Sequence, residues 1–325
     1  MFTNQSVERL SESCTTQQTV CRVSEKGISM KSFENKNVFL TGAASGIGRE
    51  LARQLAALGC DLYLVDVDQA GLAKVAEEVA LHGRRILTRV CDLSDSSQIT
   101  QALADFDQRC DVIDILINNA GVAYYGPTDA MSQQQWNWLM NINLLAPIQI
   151  TNHFLPQLLE RPDAHIANMC SISGIVAGGR FAAYHTSKFG LIGFTEAIRA
   201  EYARKGVGVS AICPGPVRTN LYEAAASGRA GNKVPTPPDW LCASAERVAS
   251  LTIKAIRRNK RQIIITPLAH GLFQMKRFVP GLIDFANRFS RKKKQRIAML
   301  QAKEDHRLQN LLTANSIDSP STKAA

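Results

Sequence analysis

The stretch YHTSK, residues 184–188, places a phenol and an ammonium group four positions apart. Residues four apart on a helix lie on the same face, so Lys188 would lie one turn beyond Tyr184. A tyrosine ordinarily has a pKa of about 10, and a neighbouring positive charge favours its phenolate form. The pair could therefore transfer protons, although the same spacing also occurs on ordinary half-exposed helices. The rest of the chain has to distinguish these two interpretations.

Apolar segments of strand length alternate with segments of helical period from Asn37 onward. The predicted strands span 37–41, 61–66, 85–91, 112–119, 165–171, 207–213 and 262–266. The first two intervening helices are predicted at 46–58 and 68–82. Strands that alternate with helices form parallel sheets covered on both faces, and nearly uninterrupted apolar strands agree with burial on both sides. The pattern therefore predicts an α/β fold.

A glycine-rich loop, TGAASGIG at 41–48, follows the first strand and opens the first helix. Gly42, Gly46 and Gly48 would let the backbone turn tightly and approach a pyrophosphate at the N-terminus of that helix, where unpaired N–H groups favour an anion. Glycines also make ordinary tight turns, so the position of the loop between a strand and a helix is what indicates function. The loop predicts a dinucleotide site.

Asp66 ends the second strand, 18 residues after Gly48. A carboxylate there is placed to accept hydrogen bonds from the ribose hydroxyl groups of an adenosine, and it would repel a 2′-phosphate. Ser45 in the glycine-rich loop adds no positive charge that would reverse this preference. We therefore predict NAD as the cofactor, with NADP as the alternative, unless Asp66 is only a solvated strand end.

Further motifs follow in order along the chain: CDLS at 91–94, NNAG at 118–121, NINLLAP at 141–147, SISG at 171–174 and CPGPVRT at 213–219. With TGAASGIG and YHTSK, they make the sequence strongly resemble the short-chain dehydrogenases/reductases with a core of about 250 residues. The resemblance extends over residues 36–266. It implies a Rossmann-like, doubly wound, seven-stranded parallel sheet in a single domain, commonly assembled as a homodimer or homotetramer.

The resemblance also implies catalytic roles. Tyr184 would be the general acid/base, and Lys188 would lower its pKa and bind the nicotinamide ribose. Ser171 would hold the substrate oxygen against Tyr184, and Asn143 would position the lysine and a water for a proton relay. The family's serine lies 13 positions before its tyrosine, which favours Ser171 over Ser173.

The cofactor site implied by the resemblance draws on most of these motifs. Asp92 would contact the adenine, and Thr219 would hold the nicotinamide carboxamide. The predicted cofactor-binding residues are Gly42, Ser45, Gly46, Ile47, Gly48, Asp66, Asp92, Asn119, Ala120, Gly121, Tyr184, Lys188, Pro214, Gly215, Val217 and Thr219.

Other polar residues are expected to be structural. His153 and His165 have no metal-like partners in the sequence, and no metal site is predicted. His185 and Ser187, inside YHTSK, are expected on the helix surface. Two cysteines that flank motif residues are expected to be small buried thiols, namely Cys170 and Cys213.

The N-terminal residues are polar and carry Glu8 and Glu12 where a secretory signal would need an apolar run. We therefore expect a disordered tail at 1–33, a dinucleotide-binding domain at 34–266 and a helical extension at 267–325.

The eight cysteines form no CxxC pair, which is typical of reduced thiols in the cytosol. No segment reaches the roughly 18 apolar residues that a spanning helix needs. The sequence predicts a cytoplasmic protein that is neither secreted nor membrane-spanning.

Basic charge is concentrated between Lys254 and Arg296, where 13 Lys or Arg accompany one acidic residue, giving +12 against +10 for the whole chain. Apolar residues there recur at helical spacing, at 268, 272, 275, 279, 282, 285 and 289. They predict two amphipathic helices broken near Pro280. Either the segment 268–296 contacts a membrane surface, or its apolar face covers the pocket or a partner subunit. No nucleic-acid partner is predicted, because aromatic residues interleaved for base stacking are lacking.

The segment 220–241 is rich in Ala, Gly and Pro, and the resemblance implies that it forms a mobile lid over the substrate. Its residues, with Val176 and Phe181 nearby, would line a mostly uncharged site. We therefore predict an NAD(H)-dependent oxidoreductase that acts on an apolar secondary alcohol or ketone, which would be steroid-, retinoid- or lipid-like. The alternatives are an NADP-dependent 3-oxoacyl reductase and a non-catalytic dinucleotide-sensing module. The four intact catalytic residues argue against the sensing module.

Overall fold

The computed structural model describes residues 29–219, 221, 226–227, 237–281 and 285 of the 325-residue chain. Its β-strands are β1 (Asn37–Thr41), β2 (Asp61–Asp66), β3 (Ile86–Val90), β4 (Ile115–Asn118), β5 (Tyr124–Tyr125), β6 (His165–Met169), β7 (Gly208–Pro214), β8 (Ala226–Ser227) and β9 (Gln262–Ile265). Its α-helices are α1 (Gly46–Ala57), α2 (Gln69–Ala80), α3 (Ser96–Arg109), α4 (Gln133–Met140), α5 (Ala146–Leu159), α6 (Ala182–Tyr202), α7 (Ala245–Arg257) and α8 (Pro267–Phe278).

Within these described ranges, seven parallel strands form one sheet in the order β3, β2, β1, β4, β6, β7 and β9. The predicted Rossmann-like, doubly wound sheet is thereby confirmed. The strand order reverses between β1 and β4, which are neighbours with Leu40 paired to Ile117. The carboxyl ends of these two strands therefore open the crevice in which doubly wound sheets bind their ligands.

Helices cover both faces of the sheet because the side chains of each strand alternate between the faces. Val38 and Leu40 of β1 pack into a core cluster with apolar residues of α1, α2 and α7. Phe39, between them, packs into the opposite cluster with residues of α3, α5 and α6. In that cluster the Phe39 ring lies 5.0 Å from the ring of Phe154 and 5.7 Å from that of Phe106. The apolar strands predicted from the sequence are thus buried on both sides.

The packed region begins before the predicted boundary at residue 34. Met30 and Phe33 are both buried in the core. The thiol of Cys60 donates a hydrogen bond of 3.2 Å to the Phe33 carbonyl oxygen, which ties the segment to the start of β2. Residues 30–33, placed by the sequence in a disordered tail, therefore pack against the domain, and residues 1–28 lie outside the described part of the chain.

Two local features were not anticipated from the sequence. A π-helical turn at Asn141–Leu145 separates α4 from α5. Strand β5, which follows β4, pairs in parallel with the short strand β8, with Tyr124 paired to Ala226 and Tyr125 to Ser227. The backbone of the segment predicted to be a lid is therefore hydrogen-bonded to the segment that leaves β4.

The C-terminal extension begins with α8, which ends at Phe278, just before the predicted break at Pro280. The second predicted helix falls on residues that the structure does not describe, except for 281 and 285. No helix among the described residues combines the length and the apolar character needed to cross a bilayer.

Candidate active site

The glycine-rich loop between β1 and α1 depends on its glycines for two reasons. Gly42 and Gly46 have φ angles of 67° and 53°, in the left-handed region that side chains disfavour. A Cβ on Gly48 would lie 1.8 Å from the carbonyl oxygen of Gly42, so only glycine allows this close approach. Ser45 caps α1 without a side-chain hydrogen bond. The first N–H groups of α1 are therefore available to an anion, as a pyrophosphate site requires.

Asp66 lies at the end of β2, beside this loop. Its Oδ2 accepts a hydrogen bond of 3.0 Å from the Ala44 amide, and its Oδ1 accepts one of 3.1 Å from the Asp68 amide. Each carboxylate oxygen can accept a further bond, so the side chain is held in place with capacity left for two hydroxyl groups. This arrangement fits a ribose diol.

Asn119 and Thr41 brace the loop from the neighbouring strand. The Asn119 side chain donates bonds of 3.0 Å to the carbonyl oxygens of Thr41 and Gly42. In return, the Thr41 hydroxyl accepts from the Asn119 amide at 3.0 Å and the Ala120 amide at 3.1 Å. These bonds fix the distance between the ends of β1 and β4.

A cavity of about 360 Å³ opens above this part of the sheet. It is lined by Gly42, Ser45, Gly46, Ile47, Asp66, Val67, Cys91, Asp92, Leu93, Asn119, Ala120, Gly121, Val122, Ala123, Ile142, Met169, Thr219 and Leu221. All of the predicted loop, adenosine ribose and adenine residues except Gly48 therefore line a single cavity. Its lining matches the residues predicted for the phosphate, ribose and adenine parts of a dinucleotide cofactor.

Tyr184 and Lys188 lie in the first two turns of α6. The Lys188 side chain is only 3% exposed, and its Nζ donates a 2.8 Å hydrogen bond to the Met169 carbonyl oxygen. Nζ lies 5.9 Å from the centroid of the Tyr184 ring. Burial lowers the pKa of the Lys188 ammonium from its ordinary value. The two groups are therefore neighbours in a protected setting rather than an exposed pair on a helix face.

Asn143 is fully buried inside the π-helical turn. Its Oδ1 accepts from the Val122 amide at 2.8 Å, and its Nδ2 donates to the Val122 carbonyl oxygen at 2.8 Å and to the Ser187 hydroxyl at 3.1 Å. A Cβ on Gly121 would lie 3.4 Å from both Asn143 Oδ1 and Lys188 Nζ. The missing side chain of Gly121 therefore leaves space between the amide of Asn143 and the ammonium of Lys188.

Ser171 follows β6, and its Oγ accepts a 3.1 Å hydrogen bond from the Ser173 amide at the start of a single 3-10 turn. His185 holds the loop that continues from this turn. Its Nε2 accepts from the Gly178 amide at 2.9 Å, so Nδ1 carries the proton and donates to the Ser173 carbonyl oxygen at 2.8 Å. Burial lowers the pKa of His185, which favours this neutral form.

A second cavity, of about 290 Å³, adjoins the first. Ser171, Tyr184 and Lys188 line it, and most of the remaining wall is apolar: Ile47, Ala123, Met169, Cys170, Ile172, Phe181, Pro214, Pro216, Val217, Leu221, Pro237, Leu268 and Leu272. Ile47, Gly121, Ala123, Met169, Thr219 and Leu221 line both cavities. A ligand in the second cavity would therefore meet both the predicted catalytic residues and a cofactor bound in the first.

The family model for short chain dehydrogenases matches residues 36–230, which is more than half of the chain. The chain belongs to the short-chain dehydrogenase family. The motifs that carried the resemblance in the sequence all lie within the matched residues. The chain is an NAD(P)-dependent dehydrogenase/reductase.

Two curated relatives of this short-chain dehydrogenase show the range of the family. A CLA biosynthesis dehydrogenase/reductase of Lactiplantibacillus plantarum is 32% identical over 212 residues, which are 64% of this chain and 74% of that protein. The ketoacyl reductase HetN of Nostoc sp. is 30% identical over 248 residues, covering 76% of this chain and 84% of that protein.

Two solved structures are similar in fold and contain a cofactor. A short-chain dehydrogenase/reductase from Burkholderia phymatum in complex with NAD matches with a TM-score of 0.69 at 26% identity, covering 78% of this chain and 96% of that chain. A metagenomic short-chain oxidoreductase in complex with NADP matches with a TM-score of 0.62 at 28% identity, covering 72% of this chain and 98% of that chain. Relatives of this short-chain dehydrogenase therefore use either cofactor.

The predicted site residues of this dehydrogenase divide between the two cavities. Pro214, Gly215 and Val217, predicted to bind cofactor, line the second cavity together with Tyr184 and Lys188, which were predicted to bind the nicotinamide ribose. Phe181 lines the second cavity, whereas Val176 is not part of its lining. The lid is described only in part, but Leu221 and Pro237 from that segment reach the same cavity.

The expectation that His185 and Ser187 lie on the helix surface is wrong. Ser187 is fully buried, where its hydroxyl accepts from Asn143 and donates to the Tyr184 carbonyl oxygen at 2.8 Å. His185 is half-buried and bonded to the loop after Ser171. Asn143 lies 44 residues before Ser187, so this contact cannot be identified from local spacing.

Sequence reasoning also missed a chain of buried polar side chains behind the site. Asn118 on β4 donates a 2.8 Å hydrogen bond to Asn168 Oδ1 on β6, and Asn168 donates one of 2.9 Å to the Thr195 hydroxyl on α6. All three residues are buried. The signal in the sequence was one asparagine within each of the largely apolar strands β4 and β6. A buried amide nearly always has a hydrogen-bonding partner, so each asparagine implied another polar group nearby.

Proposed function

We propose that this dehydrogenase transfers a hydride between NAD(H) and an apolar secondary alcohol or ketone of steroid-, retinoid- or lipid-like character. The composition of the second cavity carries the proposal. Ser171 and Tyr184 provide hydroxyl groups at one part of its wall, and aliphatic and aromatic side chains form most of the rest. A cavity of this kind favours a carbonyl or hydroxyl group on an otherwise apolar molecule.

When bound, the nicotinamide cofactor supplies or accepts the hydride. In the proposed reaction, Tyr184 takes the hydroxyl proton of an alcohol or returns it to a ketone. Ser171 holds the reacting oxygen against the phenol by a hydrogen bond. Lys188 contributes positive charge that favours the phenolate form of Tyr184. The two hydrogen bonds between the Asn143 side chain and the Val122 backbone hold the π-helical turn in place. The space left by Gly121 admits a water for proton exchange.

The preference for NAD over NADP is proposed from Asp66. Its carboxylate is held by the amides of Ala44 and Asp68 beside the glycine-rich loop, so it cannot easily turn away from a ligand there. A 2′-phosphate would bring negative charge next to this carboxylate. Within the described residues, the lining of the first cavity includes no Arg or Lys that would offset the repulsion.

The second candidate function is an NADP-dependent 3-oxoacyl reductase. The likeness to a ketoacyl reductase of Nostoc sp. favours it, as does an apolar cavity that could accept an acyl chain. The cofactor separates the two candidates, because the carboxylate of Asp66 disfavours NADP. A non-catalytic dinucleotide sensor is less well supported, since it would not need Asn143, Ser171, Tyr184 and Lys188 around one cavity.

The decisive experiment is turnover of a panel of apolar secondary alcohols and ketones, followed by NADH and NADPH absorbance. Steroids, retinoids, simple alicyclic ketones and 3-oxoacyl thioesters would be compared with both cofactors. Faster turnover of an apolar alcohol or ketone with NAD(H) supports the first function. Faster turnover of 3-oxoacyl thioesters with NADPH supports the second, and cofactor binding without turnover of any member would leave the sensor.

We propose a homodimer or homotetramer, as the family implies, in the cytoplasm, with peripheral membrane contact through 268–296. The basic charge of that segment and the apolar residues of α8 support the membrane contact.

A further inference from the structure

Helix α8 forms part of the wall of the second cavity. Leu268 and Leu272 line the cavity from this helix. Ala269 is fully buried, and a Cβ on Gly215 would lie 3.3 Å from its Cβ, so the start of α8 packs closely on the end of β7. Further along, Lys276 donates a hydrogen bond to the Ile175 carbonyl oxygen. The helix is therefore held against the cavity at both ends.

Other residues of α8 and its C-terminal end leave large apolar side chains in solvent. Phe278 is 70% exposed and Val279 is 54% exposed. Leu268 is 36% exposed although it also lines the cavity, so it lies at the cavity's mouth. A separate segment contributes Trp240, which is 82% exposed and lies three residues after the cavity-lining Pro237. We refer to Trp240, Leu268, Phe278 and Val279 as the rim surface.

Isolated exposed apolar residues are ordinary, but these come from two segments that both reach one cavity. Basic residues accompany them. Lys276 and Arg277 occupy the last turn of α8, within the segment 254–296 that carries a charge of +12. Tryptophan favours the interface between lipid and water, and basic side chains favour the surface of an anionic membrane. The combination matches the two components of peripheral membrane binding.

We propose that the rim surface docks on an anionic lipid bilayer, with the mouth of the substrate cavity at Leu268 directed toward the lipid. This inference rests on the proposed function, because it assumes that the second cavity receives an apolar substrate. An apolar alcohol or ketone dissolved in the bilayer would then enter beside α8 without first passing into water.

A second copy of this chain is a less favourable occupant of the rim surface. Docking two copies through Phe278 and Val279 would bring the adjacent Lys276 and Arg277 of both copies close together, and like charges in proximity are unfavourable. An anionic bilayer has the opposite charge. The observed charge therefore favours lipid over self-association.

The test begins with co-sedimentation of the full-length protein with two kinds of vesicle, one of phosphatidylcholine alone and one of equal parts phosphatidylcholine and phosphatidylglycerol. We expect sedimentation with the anionic vesicles, and we expect salt to weaken it because screening reduces the attraction. In a parallel measurement, phosphatidylcholine brominated in its acyl chains is added to the anionic vesicles to quench tryptophans that contact lipid. Quenching should be lost in Trp240→Phe, which leaves the half-buried Trp136 and Trp138 as internal controls.

Point variants locate the surface. Phe278→Ser should reduce vesicle affinity by about 10-fold, at the lower end of what burial of one phenylalanine contributes. Leu81→Ser is the matched control, because Leu81 is also exposed, at 89%, and lies at the end of α2. Helix α2 packs on β2 and β3, at the edge of the sheet opposite to β9 and α8. Neither Phe278 nor Leu81 lines either of the two cavities of the site, so both variants should turn over a water-soluble ketone at the wild-type rate without vesicles.

Each outcome decides the proposal. Protein that stays in the supernatant at low salt overturns it, as does binding that Trp240→Phe and Phe278→Ser leave unchanged. An oligomer that Phe278→Ser dissociates, seen by sedimentation velocity in the absence of vesicle binding, would assign the surface to a second copy. Because vesicle binding is measured without substrate and the ketone assay without vesicles, failure here is distinguishable from failure of the proposed function.

Discussion

The Nζ of Lys188 donates a 2.8 Å hydrogen bond to the carbonyl oxygen of Met169, the last residue of β6. Ser171 follows Met169 by two positions, and Tyr184 precedes Lys188 by one helical turn. This single bond therefore joins the helix that carries the phenol to the strand that delivers the serine hydroxyl.

Tyr184→Phe should keep the ring and remove the proton. We expect turnover to fall by at least about 10²-fold, the loss typical of removing a general acid/base, while NADH binding persists. Tyr202→Phe is the matched control, since it makes the same change at the far end of α6. Normal turnover in Tyr184→Phe, with normal NADH affinity, would show that the phenol is not the acid/base.

Gly121→Ala tests the proposed proton relay. The added methyl would lie 3.4 Å from Asn143 Oδ1 and Lys188 Nζ, an ordinary contact that the fold can accept. It would exclude a water from that space, so we expect kcat to fall by about 10-fold or more. Gly193→Ala, which meets nothing within 4 Å on α6, is the control. An unchanged kcat and pH profile would argue against a water between Asn143 and Lys188.

Asp66→Ala should weaken NAD binding and reduce the discrimination against NADP, because it removes both the acceptor for a ribose diol and the negative charge. The dissociation constants of NADH and NADPH, measured by fluorescence, would give the ratio. Asp68→Ala is a suitable control: it removes the carboxylate that caps α2, at a cost of about 1 kcal/mol in stability, but should preserve the cofactor ratio. A wild-type protein that prefers NADPH would contradict our interpretation of Asp66.

His185→Gln should raise KM for an apolar ketone more than it lowers kcat. The reason is that His185 joins Ser173 to Gly178 in the loop that begins at the cavity wall. Protonation would turn Nε2 into a donor and leave the Gly178 amide without its acceptor. In the wild type, KM should therefore rise as pH falls through the lowered pKa of His185, and the variant should lack this rise. Identical pH profiles would limit His185 to a packing role.

His165 should make folding stability pH-dependent. Burial lowers its pKa to about 3 in the folded state, whereas an unfolded histidine titrates near pH 6.5, so only the unfolded chain binds a proton between these values. Stability should therefore fall with decreasing pH below about 6.5, by up to about 1.4 kcal/mol per pH unit from this residue. Urea denaturation of wild type and His165→Gln between about pH 6.5 and 5 would isolate the effect, because most carboxylates remain ionised there. Parallel slopes would contradict the prediction.

The strands and the glycine-rich loop were predictable because their signals are local. Strands β1 and β2 have the predicted bounds, since each is an unbroken apolar segment bordered by polar residues. The loop was recognisable because three glycines meet steric requirements within eight residues. Strand burial and a tight glycine turn each require particular residue types at neighbouring positions, so both can be predicted from the local sequence.

The position of Asn143 within the site was not predictable in the same way. Its orientation depends on a π-helical turn and on two hydrogen bonds to Val122, 21 residues earlier. The burial of Met30 and Phe33 likewise depends on long-range packing beside Cys60, while the surrounding sequence is polar. Where a residue's conformation is set by partners distant in sequence, periodicity and composition are insufficient.

Gly215 and Thr266 impose a mutual restriction that would be visible as sequence covariation. Thr266 has a φ of 102°, unusual for a β-branched residue, and its Oγ1 caps α8 by accepting from the Ala269 amide at 3.2 Å. A Cβ on residue 215 would lie 2.3 Å from that same Oγ1. Any homologue with a side chain at position 215 must therefore give up the threonine cap or shift α8. Glycine at the end of β7 should thus accompany a hydroxyl residue at position 266 wherever this helix covers the cavity.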